Sequence, residues 1–167
     1  MIESFRTLAS VIAAHPNQQV VGRIRLQKTI RLLQRLGLPT DYLYTIHFYG
    51  PYSEDLHSEV TLLKNLNLAD EESQQFSNSE AVQFTIKATE SADPTLVKNY
   101  QPKIDIMAQA EPVILELAAT YDYYRDQGSD HVTALEQLRQ KKGSKCKAGN
   151  EDKALSLLTQ LGLPSGT

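Results

Sequence analysis

The chain has 167 residues, with 17 Lys+Arg against 20 Asp+Glu and a formal net charge of −3 at pH 7. That length suits one domain with a core that needs no disulfide or metal, and 41% hydrophobic with 22% charged residues excludes wholesale disorder. The one cysteine, Cys146, excludes an intramolecular disulfide and any multi-cysteine zinc site, and no apolar run approaches the ~20 residues of a membrane span.

Residues 1–14 (MIESFRTLASVIAA) carry an acid, Glu3, where a secretory signal would carry cations. Phe5, Leu8, Ala9 and Ile12 recur at helical spacing, so an amphipathic first helix is expected. The expected location is the cytoplasm, where a lone thiol stays reduced. Pro16 ends the helix because it lacks the N–H that a helix interior needs. A second helix is expected from about Arg23 to Leu36. Leu26, Ile30 and Leu33 share one face, and Lys28, Arg31 and Arg35 fall together on the opposite side. Gly37-Leu38-Pro39 supplies its stop, and Gly162-Leu163-Pro164 repeats that stop far downstream.

Tyr42–Tyr49 (YLYTIHFY) is aromatic and β-branched and reads as one strand, bounded by Gly50-Pro51. Ser53 is the expected N-cap of a third helix with Glu54 and Asp55 in its first turn. A short strand near Leu66–Ala69 and the alternating Ala81–Ala88 would form a hairpin, with the polar residues 70–80 as its long tip. The rest reads as helical: a start at Asp93-Pro94, divisions at Pro102 and Pro112, and two short helices near His131–Lys141 and Glu151–Leu161. The connector Lys142–Asn150 is a cationic loop. One domain is expected over 1–167, a core of about residues 1–90 with a helical extension, residues 91–167, packed on it.

Charge is distributed unevenly. Residues 1–40 carry a net +5, residues 41–138 a net −12 and residues 139–167 a net +4. Such asymmetry suits a polyanion-binding face or a self-complementary surface, and equally two basic ends folded against an acidic middle.

The order helix, helix, strand, helix, hairpin is close to that of winged-helix folds. Gly22-Arg23-Ile24-Arg25-Leu26-Gln27-Lys28, followed by His47-Phe48-Tyr49-Gly50-Pro51-Tyr52-Ser53, resembles the uncharacterised bacterial YwgA-like family. A G-R-x-x-L-Q-K helix and an H-x-Y-G-P-Y-S turn are that family's recurring marks. A helix followed by a Tyr-Gly-Pro turn is also loosely similar to Panacea-type antitoxin domains. The resemblance spans about Val20–Leu68 and implies fold and context, with no established activity. The fold class expected is therefore α+β and mostly helical, with a winged-helix-like core.

Chemistry is sparse. His47, Tyr49, Tyr52, Ser53, Asp55 and His57 lie close in sequence, but a capping Ser53 has its oxygen engaged by backbone N–H groups. No nucleophile elbow, phosphate loop or dinucleotide fingerprint occurs, and the histidine spacing holds no short metal-ligand pair. Gly50, Pro51, Tyr52 and Ser53 have a structural account as a turn running into a capped helix. Lysines on both sides of Cys146 would lower its thiol pKa, yet no base or resolving cysteine accompanies it. The expected protein is non-enzymatic and needs no cofactor or metal.

Two partner classes remain. A nucleic-acid surface would have to come from Lys28, Arg31 and Arg35 joined by Arg139, Lys141, Lys142, Lys145 and Lys147, because the third helix and hairpin tip are acidic. The alternative is a protein-partner module of antitoxin or adaptor type, or a head-to-tail homodimer, with no membrane role. A small-molecule pocket around Tyr42, Tyr44, Tyr49 and Tyr52 has no polar constellation behind it.

Overall fold

A computed structural model describes residues 3–167. Helix α1 (Ser4–Ala14) is followed by a 3-10 turn at Pro16–Gln18, strand β1 (Gln19–Val21) and helix α2 (Arg23–Arg35). A small hairpin, β2 (Thr45–His47) and β3 (Gly50–Tyr52), leads into α3 (Glu54–Asn65). Strands β4 (Ala69–Gln75) and β5 (Val82–Ala88) come next. The remainder is helical: α4 (Gln101–Gln109), α5 (Pro112–Asp126), α6 (His131–Lys142) and α7 (Asn150–Leu161). The protein is a mostly helical α+β fold, as its sequence implies.

The three-stranded sheet is antiparallel in the order β1-β5-β4, with Val20 opposite Ile86 and Glu71 opposite the same Ile86 on its other side. The sequence reading has no β1, a strand too short to show a period. It also places a strand at Leu66–Ala69, where the structure has the turn that ends α3 over residues 66–68 and begins the strand at Ala69, running through Asp70-Glu71-Glu72-Ser73-Gln74-Gln75. Those residues are poor strand formers; backbone pairing with β5 from Ala69↔Ala88 to Gln75↔Val82 holds them extended. The tip is correspondingly shorter. The single strand expected over Tyr42–Tyr49 is instead a hairpin, because Gly50-Pro51-Tyr52 turns back and pairs as β3. Pro51 is tolerated there because the two-stranded sheet has only edges.

Local signals act as expected at the helix ends. Ser53 Oγ accepts from the Leu56 N–H, and Asp93 and Asp130 cap Thr95 and Thr133 in the same way. At both Gly-Leu-Pro stops the glycine is left-handed, with φ of 106° at Gly37 and 82° at Gly162. The following leucine N–H returns to a carbonyl five residues back, Leu38 to Leu33 and Leu163 to Leu158, each at 2.9 Å.

Among the described residues one hydrophobic core runs from α1 to α7. Leu8 and Ile12 of α1, Leu26, Ile30 and Leu33 of α2, Leu56 and Leu63 of α3, Ile86, Leu117 and Tyr121 of α5, and Leu158 of α7 all belong to it. The helices after residue 90 therefore share the core of the earlier elements. Among the described residues no helix is long and apolar enough to cross a membrane.

Candidate functional site

The two sequence motifs meet. Leu26 of α2 enters the core, which turns the next two residues toward the β2–β3 hairpin. Gln27 Nε2 donates to the Ser53 carbonyl and Gln27 Oε1 accepts from the Ser53 N–H, both at 2.9 Å and buried. Lys28 Nζ donates to the Pro51 carbonyl at 2.6 Å. From the far side, Lys142 Nζ at the end of α6 donates to the Phe48 carbonyl at 2.9 Å. The Tyr49-Gly50-Pro51 turn is thus gripped through its backbone by two lysines from distant parts of the chain.

Gly50 completes the grip. Its φ is 94°, a region open chiefly to glycine, and a Cβ there would lie 2.6 Å from Thr120 Oγ1 on α5. With the backbone so fixed, the side chains at the tip face outward. Phe48 is 76% exposed and Tyr49 is 48% exposed, their rings edge to face at 4.9 Å.

Beneath the turn lies a buried acid, Glu116 of α5. Lys145 approaches it at 2.9 Å and Lys142 at 3.6 Å, and Lys28 interacts with it electrostatically. Burial pushes the Lys28 ammonium down to about 8, with Glu116 opposing that shift and Lys142 reinforcing it. A groove of about 320 Å³ opens beside this cluster, between Tyr49 and the start of α5, with Ile24 and Val113 on its apolar walls. A second groove of about 290 Å³ lies across Ile24, where Arg23 forms a bidentate pair with Glu71 and stacks 3.7 Å from the Phe84 ring centroid.

The placement of the basic residues corrects the sequence reading. Lys28, Arg31 and Arg35 do not form a solvated stripe opposite the apolar face. Lys28 is 1% exposed and Arg31 5% exposed, because α5 covers that side of α2. Arg31 pairs with Asp126 at 2.7 Å, and Arg35 pairs with Asp122 at 3.0 Å and with Asp126 at 3.2 Å. Asp122 is fully buried, and desolvation raises its pKa more than Arg35 lowers it. Of the second cluster, Lys142 and Lys145 face Glu116 and Arg139 pairs with Glu151, while Lys141 and Lys147 are exposed. The two clusters do meet, through Lys28, Lys142 and Lys145, but around a buried carboxylate rather than on an open face.

Cys146 also departs from expectation. Burial raises its thiol pKa, Glu151 adds to the effect, and Arg139 and Lys142 pull it down by less. The histidines flank a tyrosine: Tyr52 stacks on His47 at 4.8 Å and lies 6.2 Å from His57. No group of three or more His, Cys, Asp or Glu residues that could hold a metal occurs among the described residues.

Sequence reasoning missed Glu116, Asp122 and Asp126. Glu116 interrupts the apolar run Val113–Ala119, and an acid there needs a partner if the run is buried. Asp122 and Asp126 stand four apart, matching Arg31 and Arg35 four apart on α2.

No protein-family model matches the chain. It is similar to a curated protein named "Uncharacterized protein YwgA", from Bacillus subtilis (strain 168), with 30% identity over 113 residues. The aligned region is 64% of this chain and 66% of that relative, so the chain spans just under two thirds of the relative's length. The similarity bears out the resemblance to the YwgA-like family.

Proposed function

We propose that this is a non-enzymatic interaction or regulatory module that engages a protein partner through the tip of the β2–β3 hairpin. The observation that supports it is the outward display of Phe48 and Tyr49 on a turn whose backbone is anchored by Lys28, Lys142 and Gly50. Aromatic side chains on a preorganised backbone cost little further ordering on docking and commonly dominate interface energetics. The order α1-β1-α2-α3-β4-β5, with strands arranged β1-β5-β4, supports a winged-helix-like reading of the core, with the β2–β3 hairpin inserted before α3.

Protein fits better than nucleic acid as the partner. Exposed Glu54 and Asp55 on α3, and Asp70 and Glu72 on β4, would repel phosphates where a winged helix ordinarily meets duplex. The arginines and lysines of α2 are committed to internal partners.

Capture from extract of the source cells, comparing the wild type with Phe48→Ser, tests the reading alongside a duplex-binding titration at two salt concentrations. A protein retained by the wild type and lost by Phe48→Ser is expected, with duplex affinity no tighter than ~10⁻⁴ M at low salt. Micromolar duplex binding with a steep salt dependence would overturn it in favour of a nucleic-acid partner.

A further inference from the structure

We propose that the groove between the Tyr49 turn and α5 binds a small carboxylate carrying an apolar chain, with the carboxylate at Lys28 and Lys145 and the chain along Ile24 and Val113. This goes beyond the protein-partner reading, which rests on the exposed tip rather than on the groove.

The charge balance around the groove motivates the assignment. Three lysine ammoniums, from Lys28, Lys142 and Lys145, share the single carboxylate of Glu116. Arg25, which also lines the groove, makes no ion pair among the described residues and spends its guanidinium on the Met107 and Ala110 carbonyls. Arg25, Lys28 and Lys145 line the groove with Glu116 as its one acid, and Lys145 is 38% exposed, so the lining carries a surplus of positive charge. Such surplus stays uncompensated unless an anion enters.

Donor capacity points the same way. An ammonium has three N–H donors, and Lys28 spends one on the Pro51 carbonyl. Lys28 is fully buried and is one of the residues that line the groove. Lys145 already donates to both Glu116 oxygens, at 3.2 and 2.9 Å, which leaves it one N–H for an acceptor-only carboxylate beside the donors of Lys28. Desolvation already lowers the Lys28 pKa to about 8, and a bound anion would raise it again.

Shape and polarity select the rest of the ligand. At about 320 Å³ the groove is at the lower end of small-molecule sites, too small for a nucleotide or a folded segment. Its flanks are apolar. A strongly hydrated inorganic anion would gain nothing from Ile24 and Val113, whereas an alkyl or aryl chain would bury against them. Tyr49 also lines the groove, with Lys145 Nζ 5.1 Å from its ring centroid.

Calorimetric or NMR titration of the full chain with octanoate, and with octanol as the uncharged control, tests the proposal. For a ligand of that size the expected Kd is of the order of 1 mM, with octanol at least about tenfold weaker. Lys145→Gln should weaken octanoate about tenfold, and Ile24→Asp should abolish its binding. Lys141→Gln, an exposed lysine outside the groove, should leave it unchanged. Both Lys145 and Ile24 are partly exposed, so these variants retain the fold, which a thermal melt checks.

A short peptide ending in free leucine distinguishes the source of the ligand. If it competes with octanoate and its C-terminal amide does not, the same chemistry is supplied by a partner's C-terminus. Equal binding of octanol and octanoate, unchanged affinity in Lys145→Gln, or no binding of either acid or peptide would overturn the proposal. Capture through Phe48 would be untouched by that failure.

Discussion

Gln27 and Ser53 form a closed two-point contact. The side-chain amide of one donates to the backbone carbonyl of the other and accepts from its N–H, both at 2.9 Å. Ser53 is also the N-cap of α3, so the residue that starts that helix is fixed by α2. Gln27→Leu should orphan the buried Ser53 N–H and cost about 1–3 kcal/mol in denaturant unfolding. Gln27→Glu keeps the acceptor, sets an acid against the Ser53 carbonyl, and should cost at least as much. Wild-type stability in both variants would contradict the contact.

At Gly50 two penalties coincide, the positive φ and the approach of Thr120. Gly50→Ala should lower stability by about 2–4 kcal/mol. Pairing it with Thr120→Ala should recover the steric part and leave the backbone part. A double variant no better than Gly50→Ala would show that the clash is relieved in some other way.

The α2 cations are structural, and reversing them should show it. Replacing Lys28, Arg31 and Arg35 together by Glu sets three acids against Glu116, Asp122 and Asp126. Breaking one buried pair typically costs 3–5 kcal/mol, a large share of a domain's whole stability. The variant should have no cooperative melt by circular dichroism. A native melt would mean that α5 does not cover that side of α2.

Lys28 also sets a pH dependence. Its ammonium ionises at about 8 in the folded chain and at 10.5 unperturbed, so across that window the unfolded state binds more protons. Stability contributed by this group therefore rises with pH between about 8 and 10.5. Lys142, lowered by burial as well, acts in the same direction. Above about 10, burial of Tyr44 works in the opposite sense, because the folded chain holds its phenolic proton while the unfolded chain releases it. Cys146, whose thiol pKa is raised by burial, opposes this within the window, so the part due to Lys28 is read as the difference between variants in the change of denaturant midpoint from pH 7.5 to 9.5. That change should be less positive in Lys28→Met than in the wild type, and an equal change in both would remove Lys28 as a source.

Local chemistry was legible in the sequence, and tertiary chemistry was not. The two Gly-Leu-Pro stops, the Ser53 cap and the Asp93-Pro94 start depend on atoms a few residues apart, so short patterns determine them. Strand β4 depends on its partner, with Glu72 opposite Thr85 and ion-paired to Lys87 at 2.9 Å, and nothing in DEESQQ alone announces it. The basic stripe failed for a related reason. A helical wheel separates two sides of α2 but does not say that a second helix, carrying acids in matching positions, covers the polar one. The site is thus half readable: the motifs that build the turn stand out, and the buried carboxylate beneath them does not.

The pairing of α2 with α5 has a consequence for the order in which the protein is made. Arg31 and Asp126 are 95 residues apart, and Arg35 and Asp122 are 87 apart. When α2 leaves the ribosome, the residues that neutralise it have not yet been synthesised. Its polar side must stay in water until α5 emerges. Contacts of such separation slow folding, and here they also time it, because the first half of the chain waits for the second before its charges can leave solvent.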